Sequence, residues 1–552
     1  MSTGSIFINF VLRVYATLNH FYEKSILYKL IVKITKLCNE SIIASSFYNF
    51  LCVKGKNQYS EGSAFFKLLS FVLNKIFIIF EKLYSFLYTN FQGGFFHSIT
   101  LSCTSFIKNN LRIISFALSI AIVASAFISL KISIIIVGAT FAIFTFFNLP
   151  IAICFFIVGM SIVPHSLWNN MYIFLASIFF AGVFFMQIIS GKRATTLKST
   201  FSNPMFPCLI VYTLMIILSL FTSRDFSDSL RISLILFSCI IFTVLILNVI
   251  NSKELLITFV KFLIFAGFLT SVYGIFRYAL GLEVRVDFID TSMNGGLTRL
   301  YSTMDNPNNF AEFLILLIPV AVSFIFICKT DFKRLFFALL IIPCFLALVL
   351  TLSRAAYIAI VISFIIFVWL VNKRLLPFLA VFAVFAIPFI PLSIIDRIMT
   401  IGRDSSSEFR LFIWEGSYHT LIRNWFYGVG IGPVAFGKVF KIYVNPVAAP
   451  AMHSHNLLLQ IWLETGIGGF ISFIVLCFAS FKSSVVNIIN TDDFEYKFIL
   501  CGLATSIPAI LCFGMVEHVW FYPRIMLTFW IIMGVLGAAI GLSKNSKGGT
   551  CS

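Results

Sequence analysis

Ala451-Met-His453-Ser-His455-Asn456-Leu-Leu-Leu-Gln460-Ile-Trp-Leu-Glu464-Thr-Gly466-Ile-Gly468-Gly469 changes character in its middle. Two histidines and an amide stand at its mouth, and behind them an apolar run begins that continues to residue 480. A helix needs about 20 mostly apolar residues to cross a bilayer, so 457–480 reads as a membrane span. Polar, titratable groups at a membrane boundary are costly and are usually retained for function. The stretch therefore fixes the fold class, a membrane-embedded helix, and marks where chemistry should be sought.

The rest of the chain agrees with it. Mean hydropathy is +1.00, 60% of residues are hydrophobic and 11% are charged, against about 25% charged in soluble domains. An all-α polytopic membrane protein is the class that fits. The net charge of +18 does not point to nucleic acid, because the basic residues sit between apolar runs, where they set topology. The 12 cysteines form no CxxC or framework spacing. Those within apolar runs, such as Cys154, Cys239 and Cys477, behave as small buried hydrophobes.

Apolar runs at 113–130, 132–148, 149–165, 171–190, 204–222, 228–250, 254–277, 309–328, 335–353, 355–372, 375–394, 457–480, 497–515 and 523–542 predict about 12–14 transmembrane helices. Short basic turns at Lys192-Arg193, Lys333-Arg334, Lys373-Arg374 and Lys544–Lys547 belong on the cytoplasmic side. With these spans all of them fall on one side, together with both termini. Residues 1–111 form a separate region. Tyr28–Lys36 and Phe65–Lys75 alternate apolar and basic residues at helical spacing, the pattern of helices lying on an anionic membrane surface. They are expected to be cytoplasmic and accessory to a membrane domain over 112–545. The largest loop on the opposite, outer face is 395–456, and long loops of this kind are often functional.

Four features converge on that face. Ser353-Arg354 is a tight turn between two spans. Its arginine could snorkel to headgroups, but its planar fork of donors also suits phosphate oxygens. Arg410 and Trp414 are four apart and share a helical face, either as a solvated cation–π pair or as a second phosphate clamp braced by the indole. His453 and His455 form a His-x-His pair. No third ligand stands at useful spacing, so no metal is expected; a neutral histidine suits general acid–base work. Helix capping is the plainer role for one of the two, although Asn456 is the better cap. Asn306-Pro307-Asn308 is a turn and helix cap, leaving Asp305 and Glu312 as candidates for binding a sugar. Gly428, Gly430 and Gly432 follow no strand, so they make a tight turn rather than a dinucleotide fingerprint. Glu517-His518 lies on the outer face with no clear role.

The order of these pieces resembles that of the O-antigen ligase and O-antigen polymerase (Wzy) family of membrane glycosyltransferases. The sequence is Asn306-Pro307-Asn308, Ser353-Arg354-Ala355, Arg410 with Trp414, the spaced glycines, then His455-Asn456 with Gly466 and Gly469. Phe470, where some members carry a small residue or Tyr, is a mild departure. The resemblance covers roughly 200–540 and implies a GT-C-like glycosyltransferase architecture with a large outer-face loop. It implies a polyprenyl-diphosphate-linked glycan as donor, a glycan or lipid-glycan acceptor, no cofactor, and an extracytoplasmic site in the cytoplasmic membrane. His455 would activate the acceptor hydroxyl, and Arg354 and Arg410 would neutralise the diphosphate. His453, Asn456, Trp414, Asp305 and Glu464 are further contacts to test. Polymerase and ligase are not separable here. The competing class is a transporter or flippase of lipid-linked glycans, which would place its charges near the midplane of broken helices.

Overall fold

The computed structural model describes residues 64–91, 109–128, 130–190, 203–282, 289–290, 297–377 and 405–548, with a few isolated positions besides. The helices in chain order are α1 (Ala64–Phe91), α2 (Leu111–Ile128), α3 (Leu130–Phe147), α4 (Leu149–Ile162), α5 (Met171–Ile189), α6 (Met205–Phe221), α7 (Phe226–Val249) and α8 (Lys253–Ala279). A two-residue antiparallel ladder follows, β1 (Ile289–Asp290) with β2 (Leu297–Thr298). Then come α9 (Pro307–Ile327), α10 (Asp331–Leu350), α11 (Arg354–Asn372), α12 (Ser405–Asn424), α13 (Pro433–Tyr443), α14 (Leu457–Asn490), α15 (Phe494–Phe513) and α16 (Pro523–Gly548).

Among the described residues nine helices are long and apolar enough to cross a membrane, α5, α7 to α11 and α14 to α16, and four shorter apolar helices lie within α2, α3, α4 and α6. The protein is thus an all-α polytopic membrane protein. Most of the run expected over 375–394 and the start of the long loop fall outside the described residues. So does Tyr28–Lys36, Lys33 apart. The second basic segment lies in α1, which packs against α5 and leaves Phe71, Ile79 and Phe86 exposed.

Helix α9 is the axis of the bundle, packed by α8, α10, α11 and α15, while α16 is enclosed by α7, α15 and α14. In a bilayer the lipid is as apolar as the helices, so close packing and interhelical hydrogen bonds hold such a bundle, at about 0.6 kcal/mol per bond. Ser506 Oγ donates to the Leu316 carbonyl at 2.7 Å. Thr243 Oγ1 donates to the Trp530 carbonyl at 2.7 Å. At one end of the bundle Lys253 Nζ sits between Asp493 and Glu495, 2.7 and 2.6 Å away, tying the starts of α8 and α15. Lys329, Lys373 and Lys544 lie at this same end. The first residues of α9, α11, α14 and α16 lie at the other.

The long loop is more structured than its sequence suggests. Within it α12 and α13 enclose a small core of Ile413, Leu421, Phe436, Phe440 and Ala448, closed by Leu463 of α14. The expected span 457–480 is also divided. Gly466 takes φ +69°, and a Cβ there would collide with the Phe426 carbonyl oxygen. The backbone N–H of Ile467 instead donates to the Trp425 carbonyl at 2.9 Å, and Val429 N–H to the Leu463 carbonyl at 2.7 Å. Leu457–Thr465 is therefore a short helix built into the α12–α13 layer, and the spanning stretch begins at Ile467.

Candidate functional site

The site is assembled at the α9–α14 end from segments far apart in the chain. Asn456 caps α14: its Oδ1 accepts from Leu459 N–H at 3.0 Å and its Nδ2 donates to the Met515 carbonyl at 3.0 Å. This double use docks the histidine segment onto the turn after α15 and commits Asn456 to structure. His455, just before the cap, takes φ +47°, a left-handed conformation uncommon for a residue with a Cβ. Its half-buried ring is thereby aimed at Glu517, with Nδ1 2.7 Å from Oε1. Glu517 also accepts from the His518 backbone N–H at 3.1 Å and from Asn308 Nδ2 at 3.4 Å. The Arg410 guanidinium stands 3.6 Å from its Oε2.

Asn308 is set by the cap of α9, where Asn306 Oδ1 accepts from Asn308 N–H at 2.8 Å and Pro307 pre-sets the first turn. Asn308 Oδ1 in turn accepts from Arg299 at 2.8 Å, and Arg299 Nε donates to the Thr351 carbonyl at 2.9 Å. The turn carrying Arg354 is thus joined to Glu517 through Arg299 and Asn308. Arg354 itself opens α11 with a half-buried side chain.

Burial opposes ionisation of Glu517. The His455 hydrogen bond and the nearby His455, His453 and Arg410 outweigh it and hold the carboxyl down at about 2. His453 lies with its ring 4.1 Å from that of His455, its Nδ1 accepting from the His455 backbone N–H at 3.2 Å. Burial, reinforced by His455, pushes its pKa down to about 3. His453 is therefore a neutral spacer at ordinary pH. The arrangement around His455 is that of a histidine oriented by an ionised carboxylate, the pairing used to fix a tautomer and leave the far nitrogen as a base.

His453, His455 and Glu517 also bring ligand atoms within 4.8 Å of one another. The third metal-ligand group that linear spacing lacks is supplied by Glu517, 62 residues on. In the geometry described, both Nδ1 atoms are engaged within the cluster, His455 with Glu517 and His453 with the His455 N–H. A metal would have to displace the first of these contacts or use the outer nitrogens.

The remaining sequence-predicted residues do not all join this centre. Trp414 follows Arg410 by one turn of α12, and its buried Nε1 has no hydrogen-bond partner among the described residues. Asp305 is in the turn before α9 at φ +68°, 3.6 Å from His165 Nε2, away from Glu517. Glu464 Oε1 accepts from Gln460 Nε2 at 2.9 Å and from Gly432 N–H at 3.2 Å, so it fastens the glycine turn to α14. Sequence reasoning left Glu517 without a role and passed over Arg299 and Arg524. Arg524 is buried and donates to the Val163 and Thr303 carbonyls at 2.7 and 2.8 Å, closing the end of α4.

Residues 336–474, from within α10 to within α14, match the O-antigen ligase family. No curated protein matches the chain.

Proposed function

We propose that this chain, which carries an O-antigen ligase family domain over residues 336–474, transfers a polyprenyl-diphosphate-linked glycan to a hydroxyl of an acceptor sugar. The family supports a membrane glycan-processing enzyme in general. The finer reading rests above all on one observation: His455 Nδ1 held at 2.7 Å by Glu517, with Arg410 on the same carboxylate.

In this reading Glu517 keeps the His455 proton on Nδ1, and Nε2 takes the proton of the attacking acceptor hydroxyl. The acceptor oxygen forms the new bond to the anomeric carbon of the donor sugar. The bond from that carbon to the diphosphate oxygen breaks, and the lipid diphosphate leaves with the electron pair. Arg410 and Arg354 meet the charge that develops on it, a role suited to guanidinium forks. Trp414 offers an indole N–H and a ring face beside the clamp. The site end is opposite the end that carries Lys253, Lys329, Lys373 and Lys544, which the positive-inside rule favours for the cytoplasm; this supports chemistry on the outer face. In this reading residues 1–111 play an accessory rather than a catalytic part.

Purified protein in proteoliposomes tests the reading. A donor labelled in its glycan and in its lipid should, with acceptor glycan added, yield acceptor product carrying only the glycan label and free polyprenyl diphosphate carrying the lipid label, in equal amounts. Movement of intact donor across the bilayer with no cleavage would identify a transporter instead.

A further inference from the structure

Trp425-Phe426-Tyr427, the turn that follows α12, is a run of large aromatic residues left 49%, 53% and 64% exposed. Their rings pack edge to face, with centroids 5.3 Å apart for Trp425 and Phe426 and 4.8 Å apart for Phe426 and Tyr427. The backbone beneath them is pinned. The Trp425 carbonyl accepts from Ile467 N–H at 2.9 Å and from Trp462 Nε1 at 2.9 Å. The Tyr427 carbonyl accepts from Thr222 Oγ1 at 3.2 Å, and the Val429 carbonyl from Arg224 N–H at 2.9 Å. The turn is thus held between the start of the spanning stretch of α14 and the α6–α7 connection, and the rings are its exposed side.

Those two points of attachment set the level of the rings and their surroundings. On α6, Leu214, Leu218 and Phe221 are exposed at helical spacing along one face, and the next residue is the Thr222 that holds Tyr427. On α14, Ile471 and Val475 are exposed on one face, a turn past the Ile467 that holds Trp425. Apolar stripes left bare on membrane helices face acyl chains, and both stripes run up to the aromatic turn at the level where the spanning stretch of α14 begins. Facing water, a contiguous apolar patch would be out of place on a folded protein. Tryptophan and tyrosine, each an apolar ring with one polar atom, concentrate where acyl chains meet headgroups. Arg423 precedes the turn and Arg224 is bonded to the strand of chain that leaves it; both are exposed, with guanidinium forks that suit lipid phosphates.

We propose that Trp425-Phe426-Tyr427 is an interfacial membrane anchor, its rings set into the headgroup–acyl boundary of the leaflet on the site side, so that the α12–α13 layer is fastened to lipid rather than standing free in water. Because α12 ends at Asn424, the anchor fixes the depth of the helix that carries Arg410 and Trp414. The anchoring does not depend on the chemistry at Glu517.

The full chain, carrying fluorotryptophan and reconstituted in nanodiscs of phosphatidylethanolamine and phosphatidylglycerol, provides the test. The Trp425 fluorine signal is assigned by its disappearance in Trp425→Phe. It is then followed with lipid spin-labelled near the headgroup end of its acyl chain, with lipid spin-labelled near the chain terminus, and with a water-soluble gadolinium chelate. The first probe should broaden the signal to loss, and the other two should leave most of its intensity. Strongest broadening by the chelate would put the ring in water, and strongest broadening by the chain-terminal label would put it in the bilayer interior; either overturns the proposal. Independently, benzoylphenylalanine in place of Phe426 is photolysed in the same nanodiscs. A single chain heavier by one phospholipid is expected. A cross-linked pair of chains would make the turn a contact between copies, and protein without any adduct would leave it in solvent; both results contradict the anchor. Each substitution keeps an aromatic ring and leaves the pinned carbonyls in place, so the fold is retained. His455→Ala should change neither reading, which separates failure of the anchor from failure of the transferase reading.

Discussion

Replacing Glu517 by Gln probes the centre of the site without changing its shape. The carboxylate has two sides. Oε1 faces His455 Nδ1 at 2.7 Å. Oε2 faces the Asn308 amide at 3.4 Å and the Arg410 guanidinium at 3.6 Å, both donors. A glutamine amide can serve only one side. If its oxygen stays on His455, its NH2 points at two donors. If it flips, its NH2 faces His455 Nδ1, which must then accept, and the imidazole proton moves to Nε2, where the base is needed. A charge-assisted hydrogen bond contributes about 1.5–3 kcal/mol, roughly ten- to 150-fold in rate at 1.36 kcal/mol per decade. A wrong tautomer in a comparable carboxylate–histidine pair costs about 10⁴-fold. Glu517→Gln should therefore lower kcat by about 10²- to 10⁴-fold, with the donor KM much less affected. The assay is release of polyprenyl diphosphate in the presence of acceptor, on protein shown to be monodisperse with the wild-type circular dichroism. A kcat close to wild type would refute the assignment of Glu517 as the orienting group.

Arg354→Lys and Arg410→Lys should each lose most transfer activity, since an ammonium keeps the charge but not the bidentate fork; near-normal product from Arg354→Lys would make it a headgroup anchor. Gly466→Ala should destabilise the protein by about 1–3 kcal/mol through its positive φ, and by more through the collision with Phe426, read as a lower unfolding midpoint in detergent. An unchanged midpoint would show that the helix break relaxes freely. Transfer should persist after chelator treatment, and restoration of a chelator-sensitive activity by added divalent metal would make His453, His455 and Glu517 a metal centre. Because Glu517 is held at about 2 and His453 at about 3, neither changes protonation between pH 5 and 8. An acidic activity limb within that range should therefore survive His453→Asn with its midpoint unmoved, and displacement of the limb would place His453 in the titration.

Much of this architecture is legible in the chain because a bilayer leaves few choices. Apolar runs of the required length had to be helices, and the Asn caps at 306 and 456 fixed where two of them start. The His455 motif was visible for the same reason, as polarity standing where polarity is costly. Glu517 was not, since nothing in its local spacing reports a partner 62 residues earlier; the pairing exists only because the ends of α9, α14 and α15 meet. The break at Gly466 was hidden as well. Its flanks are as apolar as a continuous span, and the cause is the Trp425–Gly430 segment crossing over it. Asn456 and Glu464 looked like ligand contacts because they are polar beside the motif. Their hydrogen-bonding capacity goes to the Met515 carbonyl and α14's cap in one case, and to Gln460 and Gly432 in the other.

The central claim is that His455 is the base. Its most direct test is single-turnover transfer by His455→Ala, measured against pH with saturating polyprenyl-diphosphate donor and acceptor glycan. General-base catalysis contributes about 10²–10⁴-fold. The account predicts a loss of that size with donor binding unchanged. Full turnover in the alanine variant would contradict it and leave His455 as a ring that merely holds Glu517 in place.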